Sequence, residues 1–305
     1  MPDYQQTFHY CPAQAHPPQQ NPRQYRHFEV EPVSGALGAE VHGIDLTRIN
    51  DDGFAEFETA LIDHLVLFVR EQDLEPRHLR AFGERFGTLL SYPTSEPMPG
   101  YPEITEFRSR PDTIYNFGGC WHSDSMFMEK PPRYTILHNL ESPAVGGDTS
   151  FSNLYLAWDA LDEELRQSLE DRRAINSSAL SFTGVPTDQD PDAAPVRYQD
   201  ASSEAWQREA VHPVARTHPV TGRKALYVCS LYTAHFVGET QAQSLPLLRE
   251  LYAHSVRPDF TCRFRWQPGT LAIWDNRCCL HYPHNDYSGQ TRAMRRLIVE
   301  GERPV

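Results

Sequence analysis

The run TLAIWD at residues 270–275 has the β-branched and aromatic composition of a buried β-strand. Similar runs lie along the 305-residue chain between loops rich in Gly and Pro: VLFVR (66–70), RYTILHNL (133–140), AVHPVARTH (210–218), KALYVC (224–229), DFTCRFRW (259–266) and RRLIVEG (295–301). They do not alternate regularly with helices, as the strands of a parallel α/β sheet do. We therefore predict a mainly β fold with flanking helices, built on a double-stranded β-helix (jelly roll) core.

Helical periodicity marks the segments that flank these strands. From Phe54 onward, apolar residues recur at the spacing of one helix face, and an Asp pair at 51–52 is suited to cap that helix. A second short helix is predicted from Pro76, a residue favoured in a first turn, up to Gly87. Further helices are predicted in two segments: 153–172, which holds a pair, and 240–254.

The N-terminal 27 residues differ from the rest of the chain. They are rich in Gln and Pro and lack periodicity, so we predict a disordered or draped tail. Residues 184–209 have a similar composition and are interpreted as a loop inserted in the domain. Residues 28–305 are then expected to form a single domain. Aromatic residues in the tail are suited to docking on a second subunit, which leaves a homo-oligomer open.

Composition restricts the classes of partner. The chain has 28 Lys and Arg against 41 Asp and Glu, and a net charge of −13 repels phosphate backbones and anionic lipids. We therefore expect no nucleic-acid and no membrane partner. No apolar run reaches the roughly 20 residues of a membrane helix, and the N-terminus lacks the features of a signal peptide. The sequence thus predicts a soluble, cytoplasmic protein whose six cysteines are reduced.

Two segments hold the residues best suited to bind a metal ion. The motif WHSDSMF contains His122 and Asp124, and a spacing of two residues places both side chains on one face of a strand. His281 completes a set of three if a distant strand brings it close. The alternative is a local cluster of His281, His284 and Asp286.

We favour the distant triad because ligands on two strands are held more rigidly than ligands in a loop rich in Pro and Asn. Two His and one carboxylate on one face of Fe(II) leave three adjacent coordination positions open. A bidentate oxo-acid occupies two of these positions and O₂ occupies the third.

Arg292 and Arg296 lie four residues apart on a strand-like segment and so share one face. Each alone is most simply explained by a surface salt bridge. Near a metal site, however, two guanidinium groups on one face are suited to bind two carboxylates, or a carboxylate and another anion. Taken with the His and Asp pattern, this second interpretation is favoured.

Residues 28–304 resemble a known family, that of taurine dioxygenase and dichlorophenoxyacetate dioxygenase, which are Fe(II)/2-oxoglutarate oxygenases. The matching segments occur in the same order and at similar spacing: GAEVHGIDL (38–46), ERFGTL (84–89), WHSDSMF (121–127), GGDTSFSN (146–153), HPVTGRKALYV (218–228), FRWQPGTLAIWDNRCCLHYPHNDY (264–287) and RAMRRLIVEGERP (292–304).

The resemblance implies roles for two groups of residues near the metal. His122, Asp124 and His281 match the metal ligands and would carry the catalysis. Thr149 and Arg292 match the pair that holds the distal carboxylate of 2-oxoglutarate.

The resemblance also implies a substrate pocket, in which Arg296 matches the arginine that binds the sulfonate of taurine. Phe182 and Tyr232 match aromatic positions of that pocket. Tyr92 stands where taurine dioxygenase has a histidine that contacts taurine, and Gly118 stands where it has an asparagine. These departures favour a substrate that is bulkier or more apolar than taurine.

The implied reaction is hydroxylation of a small anionic organic substrate, such as a sulfonate, a sulfate ester or an aryloxy acid. Fe(II), 2-oxoglutarate and O₂ would be required, and succinate and CO₂ would be released. A non-catalytic jelly-roll binding module and a Zn²⁺ hydrolase with the same three ligands are the alternatives. The arginine pair disfavours both, since neither needs a second anchor for an anion.

Overall fold

The computed structural model describes residues 23–91, 97–111, 119–180 and 208–305. Strands are numbered in chain order, and eight of them form one large sheet: β1 (Glu29–Pro32), β2 (Ala39–His42), β3 (Val66–Val69), β4 (Pro97–Met98), β5 (Tyr101–Ser109), β6 (Tyr134–Glu141), β14 (Leu271–Asp275) and β16 (Arg292–Val299). Their order across the sheet is β1-β2-β3-β14-β6-β16-β5-β4. Neighbours run antiparallel, except that β2 and β3 are parallel.

The remaining described strands form smaller sheets: β7 (Thr149–Asn153), β8 (Arg173–Ser177), β9 (Glu209–Pro213), β10 (Ala215–Thr217), β11 (Lys224–Leu226), β12 (Thr233–Phe236), β13 (Thr261–Phe264) and β15 (Cys279–Pro283). The sheet β13-β7-β15 faces the large sheet, and Phe151 of β7 packs against Phe68 and Trp274 of the large sheet. The sheets β12-β8-β9 and β10-β11 complete the strands described. The predicted jelly roll with flanking helices is therefore confirmed.

The central strands of the large sheet are buried on both faces. In β3, Leu67 and Val69 pack with the core that the first two helices cover, whereas Val66 and Phe68 pack with the core between the sheets. The same alternation separates Ile273 from Trp274 in β14. Each core strand therefore contributes every second side chain to a different layer, as the two-residue period of a strand requires. This double burial explains why the strand-like runs are apolar almost without interruption.

The described α-helices are α1 (Asp51–His64), α2 (Pro76–Glu84), α3 (Leu154–Asp159), α4 (Glu163–Leu169) and α5 (Gln241–Ser255), and a short 3-10 helix spans Pro258–Phe260. All the predicted helical segments are confirmed, and α5 tolerates Pro246 in its second turn. The predicted cap of α1 is wrong in detail, because the side chain of Asn50 accepts the hydrogen bond from the Gly53 amide. The Asp pair instead lies in the first turn, where its negative charge interacts favourably with the helix dipole and stabilises the helix.

The end of the predicted tail lies against α1. The Tyr25 hydroxyl donates to the Asp63 carboxylate over 3.1 Å, and the ring of Tyr25 stacks on Phe28. Residues 1–22, and all of the predicted loop except its last two residues, lie outside the described part of the chain. None of the described helices has the length and apolar character that crossing a membrane would need.

Candidate functional site

His122 and His281 form a reciprocal pair of backbone hydrogen bonds. Because His281 lies in β15, this pair adds His122 to the smaller sheet alongside β15. The amide of His122 donates to the carbonyl of His281 over 3.0 Å, and the amide of His281 donates back over 2.7 Å. Opposed residues in an antiparallel pair project their side chains to the same face. The two imidazole rings accordingly lie 4.1 Å apart between centroids, which confirms the close approach that the distant triad requires.

Asp124 completes this group. Its Oδ1 lies 3.7 Å from Nε2 of His122 and 4.0 Å from Nε2 of His281. The sequence prediction that His122 and Asp124 share a regular strand is wrong. Only His122 makes a bridge, and Asp124 begins a turn in which Ser125 has a φ of 50°. The turn, rather than the period of a strand, brings the carboxylate towards the histidines.

Hydrogen bonding and burial set the protonation states of the triad. Nδ1 of His122 lies 2.9 Å from the carbonyl of Cys120, so this nitrogen carries the proton and Nε2 keeps a lone pair. Burial, with the neighbouring His122, lowers the pKa of His281 to about 3. Burial raises the pKa of Asp124, but His281, Arg296 and His122 outweigh that effect and the pKa is lowered. Near neutral pH the triad is two neutral imidazoles and one carboxylate.

This donor set fits a divalent metal ion. The distances from Oδ1 of Asp124 to the two Nε2 atoms are too long for hydrogen bonds, so buried acceptor atoms converge there. Buried acceptors normally have a partner, and a cation would provide one for all three. Two neutral nitrogen ligands and one anionic oxygen suit Fe(II) in particular.

The alternative local cluster does not form. The Nε2 of His284 pairs with the Ser150 hydroxyl at 2.8 Å. The carboxylate of Asp286 accepts from the Gly147 amide over 2.8 Å and from Arg263 over 3.0 Å. His284 is therefore held by β7, and Asp286 is held by the loop that precedes β7 and by Arg263 of β13.

Arg292 lies beside that loop, at the start of β16. A Cβ added to Gly147 would stand 3.4 Å from Cδ of Arg292, and a Cβ on Gly146 would stand 2.4 Å from the backbone oxygen of Asp286. Both glycines have positive φ values, so they give the chain a close turn that side chains would obstruct. Burial lowers the pKa of Arg292, and its Nε has no hydrogen-bond partner among the described residues. A partly buried guanidinium whose buried Nε lacks a partner is suited to bind an anion.

Thr149 lies two residues after Gly147 and is buried. Its hydroxyl oxygen accepts a hydrogen bond from the Trp266 indole over 2.9 Å. The hydroxyl hydrogen is therefore available for another acceptor, such as a carboxylate bound near Arg292.

Arg296 lies four residues after Arg292 on β16 and close to the triad. Its positive charge lowers the pKa of each of the three triad residues, although burial or another neighbour has the larger effect in each case. The guanidinium carbon lies 4.7 Å from the ring centroid of Phe107 on β5, a cation–π contact. Phe107 was not identified from the sequence, because its position depends on the pairing of β5 with β16.

Of the four residues singled out for the substrate pocket besides Arg296, the structure describes Tyr232. Its ring centroid lies 5.4 Å from that of Phe127 and 6.3 Å from that of His122. An aromatic surface therefore adjoins the triad. Tyr92, Phe182 and Gly118 lie outside the described residues.

A second buried polar group contains His218, Asp275 and Cys278. The carboxylate of Asp275 accepts two hydrogen bonds from Arg277, at 2.8 and 2.6 Å, and lies 3.0 Å from Nε2 of His218. Burial raises the pKa of Asp275, but Arg277 and His218 lower it well below its usual range. The charge of this carboxylate is already compensated, so the group is structural. The described cysteines are all free, and Cys278 and Cys279 are buried.

Two further residues near the triad were missed from the sequence. The hydroxyl of Thr135 donates to Oδ2 of Asp124 over 2.5 Å, and the side chain of Asn276 donates to that hydroxyl over 2.8 Å. No local pattern distinguishes a threonine inside a core strand, so only the assembled sheet shows this contact.

Known proteins are similar to this chain in sequence and in fold. Residues 29–298 match the profile of the family described as "Taurine catabolism dioxygenase TauD, TfdA family". An "Alpha-ketoglutarate-dependent sulfate ester dioxygenase" of Pseudomonas putida is 33% identical over 283 residues, which cover 91% of each chain. An "Alkylsulfatase" of Acinetobacter baylyi is 34% identical over 285 residues, covering 93% of this chain and 87% of that protein.

A solved structure agrees with these sequence relatives. It is a putative alpha-ketoglutarate-dependent taurine dioxygenase from Burkholderia xenovorans, 33% identical, with a TM-score of 0.77. The match covers 91% of this chain and 94% of that one. Alpha-ketoglutarate is another name for 2-oxoglutarate, and enzymes of this family also use Fe(II) and O₂. These relatives agree with neither the non-catalytic binding module nor the Zn²⁺ hydrolase. The chain therefore belongs to the TauD, TfdA family and is an Fe(II)- and 2-oxoglutarate-dependent dioxygenase.

Proposed function

We propose that the enzyme oxidises an alkyl sulfate ester at the carbon that bears the ester oxygen. One observation carries this proposal: the guanidinium of Arg296 lies on the ring of Phe107 and beside the triad. An anion held there would place the carbon next to its charged group close to the metal. The relatives from P. putida and A. baylyi support a sulfate ester in particular.

We assign the metal to His122, Asp124 and His281. When bound there, Fe(II) would activate O₂ with 2-oxoglutarate as the electron donor. The residues themselves supply two neutral nitrogen atoms and one carboxylate oxygen from positions that the sheet and the turn fix.

We assign the distal carboxylate of 2-oxoglutarate to Arg292 and Thr149. Arg292 offers a partly buried positive charge, and the Thr149 hydroxyl, whose oxygen accepts from Trp266, can donate its hydrogen. A guanidinium binds a carboxylate in a bidentate way, which also fixes the orientation of the cosubstrate. Substrate and cosubstrate would then be anchored four residues apart on one strand.

The proposed products follow from the chemistry of the ester. Oxygen inserted into the C–H bond gives a carbon that bears both a hydroxyl and a sulfate group. This carbon loses hydrogen sulfate and becomes an aldehyde, while 2-oxoglutarate and the second oxygen atom give succinate and CO₂. The aromatic side chains near the triad, Phe107, Phe127 and Tyr232, would contact the alkyl chain. They favour a chain longer and more apolar than that of taurine. Tyr92 and Phe182 are proposed to line the same pocket, and Gly118 to open space in it.

The test is to supply the purified enzyme with Fe(II), 2-oxoglutarate and O₂ and to compare four substrate classes. These are alkyl sulfates of graded length, alkyl sulfonates including taurine, aryloxy acids and uncharged alcohols. We expect succinate and inorganic sulfate in equal amounts from an alkyl sulfate of intermediate length. If taurine proved the best substrate, or if succinate formed without sulfate, the proposed substrate would be wrong.

We also propose a cytoplasmic location, which the free thiols of the described cysteines support, since disulfides are rare in reducing compartments. A homo-oligomer, and the lack of nucleic-acid or membrane partners, stay predictions. Light scattering of the purified protein measures its mass in solution and so tests the homo-oligomer.

A further inference from the structure

A chain of hydrogen bonds leads through the buried core to the carboxylate of Asp124. The Trp274 indole donates to Oδ1 of Asn276 over 3.0 Å. Nδ2 of Asn276 donates to the Thr135 hydroxyl over 2.8 Å, and that hydroxyl donates to Oδ2 of Asp124 over 2.5 Å. The chain thus ends on the carboxylate oxygen that points away from the two histidines, because Oδ1 is the atom that faces them.

Every bond in this chain has a defined direction. An indole N–H can only donate, so it fixes which side of the Asn276 amide carries the oxygen. The amide nitrogen must then donate to Thr135, and the single hydrogen of the Thr135 hydroxyl is left for Asp124. An ionised carboxylate only accepts, which is the role required at the end of the chain.

Asn276 also holds the turn that carries Asp124. Its Oδ1 accepts from the Asp124 amide over 3.3 Å, and its carbonyl accepts from the Ser123 hydroxyl over 2.7 Å. The backbone amide of Asn276 donates to the backbone carbonyl of Arg133, next to β6, over 2.8 Å. One side chain therefore connects the end of β14, the turn after His122 and the hydroxyl on β6.

The two central members of the chain are fully buried. Thr135 and Asn276 have no exposed surface, and Trp274 has 1%. Hydrogen bonds to a charged group are stronger than neutral ones, and a low local dielectric strengthens them further. The network thus restricts both the position and the rotation of the Asp124 carboxylate.

We propose that Thr135 and Asn276 are positioning residues that make Asp124 a ligand through one oxygen only. With Oδ2 held by the Thr135 hydroxyl, Oδ1 alone is presented to a metal ion, so the carboxylate takes one coordination position. A carboxylate that rotated to bind through both oxygens would take a position that the cosubstrate or O₂ needs. This inference rests on the metal assignment made above.

The experiment measures metal affinity in the protein without cosubstrate or substrate, in addition to activity. Apoprotein is titrated anaerobically with Fe(II), and separately with Co(II), against a chromophoric chelator. The variants are Thr135→Val, which keeps the shape and loses the hydroxyl, and Thr135→Ser, which keeps the hydroxyl. Thr270→Val is the matched control, since Thr270 is equally buried and its hydroxyl has no hydrogen-bond partner among the described residues. Thermal melting of the wild-type apoprotein and of every variant, including Asn276→Asp, checks the fold.

We expect Thr135→Val to weaken metal binding by about 10- to 100-fold, the range typical for loss of a partner that orients a metal ligand. Thr135→Ser should stay within about threefold of the wild type, and Thr270→Val should bind as the wild type does. Asn276→Asp should weaken binding like Thr135→Val, because its carboxylate cannot donate to the hydroxyl.

Three results would overturn the inference: wild-type affinity in Thr135→Val, equal losses in the Val and Ser variants, or an equal loss in Thr270→Val. In each of these cases the wild type would still bind metal and form succinate. If the wild type itself bound no metal, the metal assignment would fail, and this inference with it.

Discussion

The indole of Trp266 donates its hydrogen to the hydroxyl of Thr149 over 2.9 Å, so the hydroxyl is oriented before any ligand arrives. Thr149→Val should therefore raise the KM for 2-oxoglutarate by roughly 2- to 10-fold, the effect of losing one hydrogen bond. The turnover number should change less. Trp266→Phe leaves the hydroxyl in place but free to rotate, so a smaller rise is expected. An unchanged KM in Thr149→Val would contradict this role.

The metal assignment predicts a sharp contrast between histidines. His122→Ala and Asp124→Ala should abolish Fe(II)-dependent succinate formation, because each removes one of three ligands. His284→Ala should retain most of it, since His284 pairs with Ser150 instead. Iron content after gel filtration separates loss of metal from loss of turnover. Loss of iron in His284→Ala with retention in His122→Ala would reverse the assignment.

Arg292→Ala should raise the KM for 2-oxoglutarate by roughly 10- to 100-fold, because a charge-assisted hydrogen bond contributes about 1.5–3 kcal/mol. Arg292→Lys should recover only part of the affinity, since an ammonium group cannot bind a carboxylate in a bidentate way. The measurement is a titration with 2-oxoglutarate under anaerobic conditions, monitored by the visible absorption of the Fe(II) complex. Unchanged affinity in Arg292→Ala would reject the assignment.

Neighbouring arginines on β16 provide a controlled test of substrate binding. Arg296→Ala should lower kcat/KM for an anionic substrate by about 10-fold or more, through the loss of a charge-assisted contact. Arg295→Ala is the control, because Arg295 pairs with Glu106 and not with the triad. It should leave kcat/KM near the wild-type value. Equal losses in the two variants would show that a lost positive charge, and not its position, is responsible.

His212 should make the protein less stable in mild acid. Its Nε2 lies 2.8 Å from the carbonyl of Met126, and burial lowers its pKa from 6.5 to about 4. The unfolded chain therefore binds a proton between pH 6.5 and 4 that the folded chain does not, so stability falls as pH decreases through this window. Once the pH is below both pKa values, the decrease in unfolding free energy from this group is on the order of 3 kcal/mol.

His212→Gln keeps a donor but does not titrate. The decrease in unfolding free energy from pH 7 to pH 4, measured with urea, should be smaller in this variant than in the wild type. Parallel decreases in the two proteins would contradict the prediction.

The sequence predicts those parts of this site that depend on local spacing. The alternation of a strand placed Arg292 and Arg296 on one face, and runs such as TLAIWD marked the core strands. Phe107 and Thr135 could not be found in this way, because their roles depend on which strands pair. The turn that carries Asp124 was misassigned as strand, since the His-x-Asp spacing suits both.

The same limit applies at the start of α1. Asn50 rather than the Asp pair is the cap, because residues of both types are good caps and only the backbone geometry selects between them.

The alternation of side chains in β16 has a consequence for how this enzyme can diverge. Arg296 faces the triad, whereas Leu297, the next residue, packs with the core under the helices. Mutation can therefore change substrate preference at one position without touching the packing that keeps the chain folded. Insertion of a single residue has the opposite effect, since it would turn the arginine towards the apolar layer and the leucine towards the triad. Relatives of this protein should accordingly differ in substrate by replacements on these strands and tolerate length changes only in the loops between them.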